Sequence, residues 1–288
     1  AIKGSLKIKY LFTRKFYYHE NDFYELMQDI FENENIKTEE DILEEVNSSK
    51  GEYIVIIDGL ERVFLRKPGG FDCLRKLLSF IISTNNRIYW ICSVSLHACN
   101  YLNKTISLKE NFDYLIELQN MTASQIKNII LKRHRLSGYF VQYESNLKQS
   151  ESNKKNRNSQ NYLETEFFNE LNKFADSNIS LSLYYWLEAV YEFTDKELFI
   201  KRFQIPDFSF LETLSSEKIF TLLLIVLHGK LSIDLHSAIC GQSIEKSRKI
   251  LTILKEDSIF ILKGEYYMLN GILYRHVIQL LKNKNLIH

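Results

Sequence analysis

Tyr53-Ile54-Val55-Ile56-Ile57-Asp58-Gly59-Leu60-Glu61 is the stretch that decides the fold. An apolar, mostly β-branched run of this length reads as a strand buried on both faces, the kind found inside parallel sheets. The run ends by delivering an Asp, a Gly and a Glu to the carboxyl edge of that sheet, where open α/β sheets hold ligands. A carboxylate there is suited to a Mg²⁺ shared with nucleotide phosphates.

Outward from this strand, the first section alternates strands and helices. Ser5 to Tyr17 is strand-like, Asn21-Asp22 caps an apolar-periodic helix through Phe31, and a second helix covers Thr38 to Ser48. After the break at Lys67-Pro68-Gly69-Gly70, a helix is expected over Phe71 to Ser83. A buried strand then follows over Arg87 to Ser95, a short one over Tyr114 to Leu118, and a helix from Met121-Thr122 to about Leu136. Strands separated by helices imply a parallel sheet with crossovers on its faces.

Ser145 to Asn161 has almost no apolar residue and is expected to be a solvated loop or linker. Its basic residues, Lys148, Lys154, Lys155 and Arg157, are opposed by Glu151. Helices are expected next over Leu163 to Ala175 and Ser180 to Phe193, then a strand over Glu197 to Phe203. The last module reads as an apolar helix Ser215 to His228 closed by Gly229, a short helix Ser232 to Ile239, and a turn at Cys240-Gly241-Gln242. A third helix, Ser243 to Glu256 with Glu245 placed for capping, leads to a hairpin around Lys263-Gly264-Glu265 and a final helix Leu273 to Lys282. That order is a winged helix-turn-helix. Three divisions follow: a partial α/β subdomain over 1–120, an all-helical lid over 121–205, and the winged helix over 206–288.

Composition narrows the function classes. The chain of 288 residues is 45% apolar and 25% charged, as in an ordinary globular protein, and its net charge of +1 gives no overall pull toward nucleic acid or acidic membrane. Its four cysteines form no C-x-x-C pair, and free buried thiols in a reducing, cytoplasmic setting are expected. No apolar run nears the ~18–20 residues of a membrane span. His97, His228 and His236 share no metal-ligand spacing, and no G-x-S-x-G nucleophile elbow occurs. The phosphate-loop signature G-x-x-x-x-G-K-[ST] is also missing. The only Gly-Lys pair, Gly229-Lys230, has Leu224 where the loop's first glycine would stand.

Asp58-Gly59-Leu60-Glu61 after its apolar strand resembles the Walker B segment of STAND-type signalling ATPases, especially the NACHT branch with its D-G-L-D/E pattern. The order of strand, helix, polar-ended strand, lid and winged helix also resembles AAA+ proteins of the origin-recognition kind. The resemblance implies a P-loop ATPase that binds ATP and Mg²⁺. In it Asp58 orients the metal and Glu61 polarises the attacking water, a role that places a base near the γ-phosphate. Ser93 and Ser95, on the strand matching sensor 1, are the implied cofactor contacts. The Arg that STAND proteins often place near sensor 1 and the sensor-2 Arg of standard AAA+ machines have no match here. A slow nucleotide-gated switch, with self-association, is therefore expected rather than fast ring-type hydrolysis. The first strand matches the second strand of that fold, so the phosphate loop is expected before Ala1, in a longer parent.

Alternatives stand beside these readings. Asp58 and Glu61 also suit a plain strand end and helix start. Arg62 and Arg66 are expected as solvated helix positions, the other option being phosphate or a neighbouring subunit. Lys246, Arg248, Lys249 and Lys263 are the residues a winged helix would offer to duplex DNA, diluted by Glu245, Glu256, Asp257 and Glu265. An internal packing role for the winged helix, and a purely structural domain, are the remaining options.

Overall fold

The computed structural model describes residues 6–48, 52–144 and 160–287. The linker expected over 145–161 lies almost wholly outside the described residues. The chain divides into two compact units, one made of Ala1–Leu115, Leu211–Asn270 and Val277–His288, the other of Ile116–Phe210 and Gly271–His276.

In the first unit, β1 (Lys7–Phe12), β2 (Tyr53–Asp58) and β3 (Ile88–Ser93) form a parallel sheet in the order β1-β2-β3. Register is level across it, with Phe12, Asp58 and Ser93 side by side at the carboxyl edge. The crossovers are α1 (Asp22–Phe31), α2 (Glu39–Ser48) and α3 (Asp72–Thr84). Alternation sets the packing: Tyr53, Val55, Ile57 and Ile88 turn toward Phe23, Leu26 and Met27 of α1 and Leu74 and Leu77 of α3, forming one apolar core. The other face of the same strands carries Ile8, Tyr10, Tyr89 and Ile91, which remain exposed, with Ile54 and Ile56 half-buried between them. The expectation that β2 is buried on both faces therefore holds for one face only.

Helix α4 (Leu96–Ile106) follows β3, capped by the Ser95 hydroxyl, which accepts from Ala98 N–H. The strand expected over Tyr114 to Leu118 does not form. This stretch is irregular and exposed, and among the described residues no strand pairs with it to complete its backbone hydrogen bonds. The unit resumes with α8 (Ser216–His228), capped by Ser215 and ended by Gly229 at φ 75°, then α9 (Ile233–Cys240) and α10 (Ile244–Glu256). A hairpin of β7 (Phe260–Lys263) and β8 (Tyr266–Leu269) and helix α11 (Tyr274–Asn283) complete the expected order. The α10 cap is Ser243, whose hydroxyl accepts from Lys246 N–H, so Glu245 is not the capping partner.

The second unit departs from an all-helical lid. Alongside α5 (Ala123–His134), α6 (Gln160–Ala175) and α7 (Ile179–Glu188) it holds a sheet of β4 (Phe140–Tyr143), β5 (Val190–Phe193) and β6 (Glu197–Ile200), in the order β4-β6-β5. The helix expected through Phe193 stops at Glu188, and the β-branched and aromatic residues after it turn back as a hairpin on β6. Tyr185 and Trp186 of α7 are buried while Tyr184 and Leu187 are exposed, so α7 buries one face. All four cysteines, in both buried and half-buried settings, are free thiols. Among the described residues, no helix is long and apolar enough to cross a membrane.

Candidate functional site

The level register of the strand ends builds the site. Asp58 ends β2 on the side of the sheet that the helices leave open. The Ser93 hydroxyl, at the matching position of β3, donates to Asp58 Oδ1 and accepts from Gly59 N–H at 3.1 Å. From β1, the Tyr10 hydroxyl donates to Asp58 Oδ2 at 2.8 Å. Together the Ser93 and Tyr10 hydroxyls, with Arg62 nearby, hold the Asp58 carboxyl below its ordinary range, so it is ionised at neutral pH.

Behind Asp58 the chain makes a sharp turn. Gly59 takes φ 98°, and a Cβ there would lie 2.5 Å from Thr13 Oγ1 and 2.7 Å from Arg62 Nη1. Thr13 is fully buried, and its hydroxyl donates into the turn, 2.7 Å from Gly59 O and 2.9 Å from Asp58 O. Gly59→Ala is expected to destabilise the protein by about 1–3 kcal/mol, from strained backbone and overlap together. Urea unfolding of the two proteins checks this, and an unchanged midpoint would mean the turn can relax.

After the turn, Glu61 is buried (9% exposed). Its Oε2 accepts from Ser95 N–H at 3.3 Å, and its Oε1 lies 3.7 Å from Arg62 Nη2. Arg62 is no solvated helix position. Its guanidinium donates to Thr13 O at 2.6 Å, stacks over Phe12 at 5.2 Å, and keeps a buried Nε with no hydrogen-bond partner among the described residues. Arg66 is also drawn inward, stacked on Phe220 and Tyr101 at 4.9 and 5.6 Å. Aromatic neighbours remote in sequence hold both cations, so helical spacing alone could not reveal it.

The end of α8 closes this turn from behind. His228 is fully buried, its Nδ1 3.2 Å from Glu61 O and its Nε2 accepting from Arg66 N–H at 3.4 Å. A carbonyl on one side and an amide N–H on the other fix the neutral ring with its proton on Nδ1. Desolvation pushes its pKa down to about 4. Lys230, two residues on, donates to Arg14 O beside the end of β1.

The structure thus brings Asp58 and Ser93 into contact and puts Glu61 against Ser95, whose own hydroxyl is used to cap α4. Tyr10, Thr13 and His228 were missed as site residues. Tyr10 looked like one more strand position, Thr13 and His228 like ends of elements, and only cross-strand and tertiary pairing gives them a part. Lys246 of α10 is ion-paired with Glu217 of α8, whereas Arg248, Lys249 and Lys263 are exposed. Among the described residues no group of three or more His, Cys, Asp or Glu side chains could hold a metal. One ionised carboxylate with a neighbouring hydroxyl does fit a Mg²⁺ that takes its other ligands from water and phosphates, as this ion commonly does.

No family model matches the chain, and no curated protein matches it. Among solved structures, that of Cdc6p from Pyrobaculum aerophilum aligns with 97% of this chain and 80% of its own, at 13% identity and a TM-score of 0.40. A Walker-type ATPase of Pyrococcus abyssi aligns with 96% of this chain and 84% of its own, at 11% identity and a TM-score of 0.41. Likeness at this distance carries no information on activity.

Proposed function

We propose that this chain is the C-terminal part of an ATPase of the AAA+/STAND kind, NACHT- or origin-recognition-like, that works as a nucleotide-dependent switch. The observation that carries the reading is the ionised Asp58 at the carboxyl edge of the central strand, steadied by Ser93 from the next strand at the same level. ATP and Mg²⁺ would be held jointly by Asp58 and a phosphate-binding loop preceding Ala1 in a parent polypeptide. Mg²⁺, when bound, neutralises phosphate charge. Asp58 offers the metal a carboxylate, and Ser93 keeps that carboxylate aimed. Glu61 is the base that would orient water. The contact of its side chain with Ser95 N–H holds it beside the Asp58 turn.

The switch reading draws on His228. Because its ring spans Glu61 O and Arg66 N–H, movement of the Glu61 turn is felt directly at the end of α8. This supports an internal, core-packing role for the winged helix of α8–α10 and its β7–β8 wing, with self-association left to the assembled parent. Duplex DNA held by Lys246, Arg248, Lys249 and Lys263 is the weaker reading, since Glu217 already engages Lys246.

In the parent, Glu61→Gln is expected to keep Mg²⁺-ATP binding while turnover falls below detection. Binding is read by equilibrium titration and turnover by phosphate release. Undiminished turnover would remove Glu61 from the mechanism, and a parent that binds no ATP would remove the whole reading.

A further inference from the structure

Tyr10 differs from its neighbours on β1. The row Ile8, Tyr10 and Phe12 lines the face of the sheet that the helices leave open, and Ile8 and Phe12 offer that face only apolar surface. A phenylalanine would fill the middle position equally well, so packing gives the Tyr10 hydroxyl nothing to do. That hydroxyl goes instead to Asp58 Oδ2, at 2.8 Å.

Register explains the reach. Tyr10 lies opposite Ile56, and Asp58 comes two residues later on the same face of β2. The pair is thus diagonal across adjacent strands, a separation that a long aromatic side chain spans. Ser93 approaches from the other flank, directly opposite Asp58. The hydroxyls take different oxygens of the one carboxylate, Ser93 on Oδ1 and Tyr10 on Oδ2.

That division decides how firmly the carboxylate is held. Rotation about the last bond of an aspartate is soft, with broad wells in place of sharp ones. A donor on one oxygen alone leaves the group free to swing about that contact. Donors on both oxygens, anchored in the strands on either side, fix its plane. A ligand already held in one orientation binds without first having to be ordered.

We infer that Tyr10 is a positioning residue: its hydroxyl, acting with that of Ser93 from the opposite strand, locks the plane of the carboxylate that Asp58 offers to Mg²⁺. Tyr10 acts only through Asp58. The inference deepens the ATPase reading and rests on it for the identity of the ion.

The test titrates the 288-residue chain with Mn²⁺, a paramagnetic stand-in for Mg²⁺, and follows broadening of the Gly59 amide signal by NMR. Tyr10→Phe keeps the ring and removes the hydroxyl. It is expected to weaken Mn²⁺ binding by about threefold to tenfold, the worth of one hydrogen bond, with the urea midpoint unchanged. Tyr89→Phe removes a hydroxyl from the same face on β3, lower down at the level of Ile54, and is expected to change neither. Because the two hydroxyls lock one rotation, Ser93→Ala should weaken binding less in the Tyr10→Phe background than in the wild type. A Tyr10→Phe chain that binds Mn²⁺ as tightly as the wild type, or tighter, would overturn the proposal and leave the ATPase reading standing. So would losses that simply add, which would make the two hydroxyls independent donors. A wild-type chain whose Gly59 signal broadens no more than those of amides far from Asp58 would remove Asp58 as a metal ligand and end both.

Discussion

Phe64→Ala is expected to destabilise the protein by about 3–5 kcal/mol, the range for emptying a fully packed aromatic site. Phe64 has no exposed surface. Its ring stacks on Phe71 at 5.4 Å and Tyr101 at 6.1 Å, and meets His228 at 4.7 Å. These neighbours come from the approach to α3, from α4 and from α8, so collapse around the cavity would have to move three elements at once. Urea unfolding gives the change as a shift in midpoint at constant slope. A loss below about 1 kcal/mol would mean that the site closes up by itself, and that α8 is less firmly seated than the ring contacts imply.

Acid should weaken the fold in a defined window. His228 takes up a proton at about 4 in the native state and near its ordinary value of 6.5 when unfolded. Between those values the unfolded chain binds more protons, so stability rises with pH. The contribution of His228 is complete above pH 6.5, falls as pH drops toward 4, and changes no further below. The full loss is about 3 kcal/mol, following from the size of the shift. His236, which meets the Thr221 hydroxyl at 2.9 Å, is also pushed down to about 4 by burial and weakens the fold in the same direction. The check is the unfolding midpoint from pH 7.5 to 4 in the parent chain and in His228→Gln. Part of the pH slope should vanish in the variant. Parallel curves would show that His228 is not protonated on unfolding.

The two sequence signals that proved legible were those set by short-range periodicity. Tyr53 to Asp58 had to be a strand from its β-branched run, and Ser215, Ser232 and Ser243 each mark a helix start as capping chemistry predicts. Tyr114 to Leu118 misled because its apolar character is that of a strand, while among the described residues no strand pairs with it. Val190 to Phe193 misled because it follows a helix without a Gly or Pro stop, and its pairing with β6 is decided by tertiary contact. Within the site, Asp58 was legible from its place at the end of an apolar run. The hydroxyl of Tyr10 was not, because its link to Asp58 spans 48 residues and depends on strand register. Arg62 and Arg66 looked like surface cations because no local pattern discloses the aromatic rings they rest on.

The link from His228 to Glu61 joins groups 167 residues apart in the chain. Phe64 and the turn after β2 therefore lack part of their surroundings until α8 has been synthesised, long after the sheet that carries them. Closing so distant a contact is slow, and a chain growing from its N-terminus would hold this surface unfinished through the synthesis of the whole second unit. Assembly of the first unit therefore waits for α8, and the interval before it is when the nascent chain is most open to capture by other proteins.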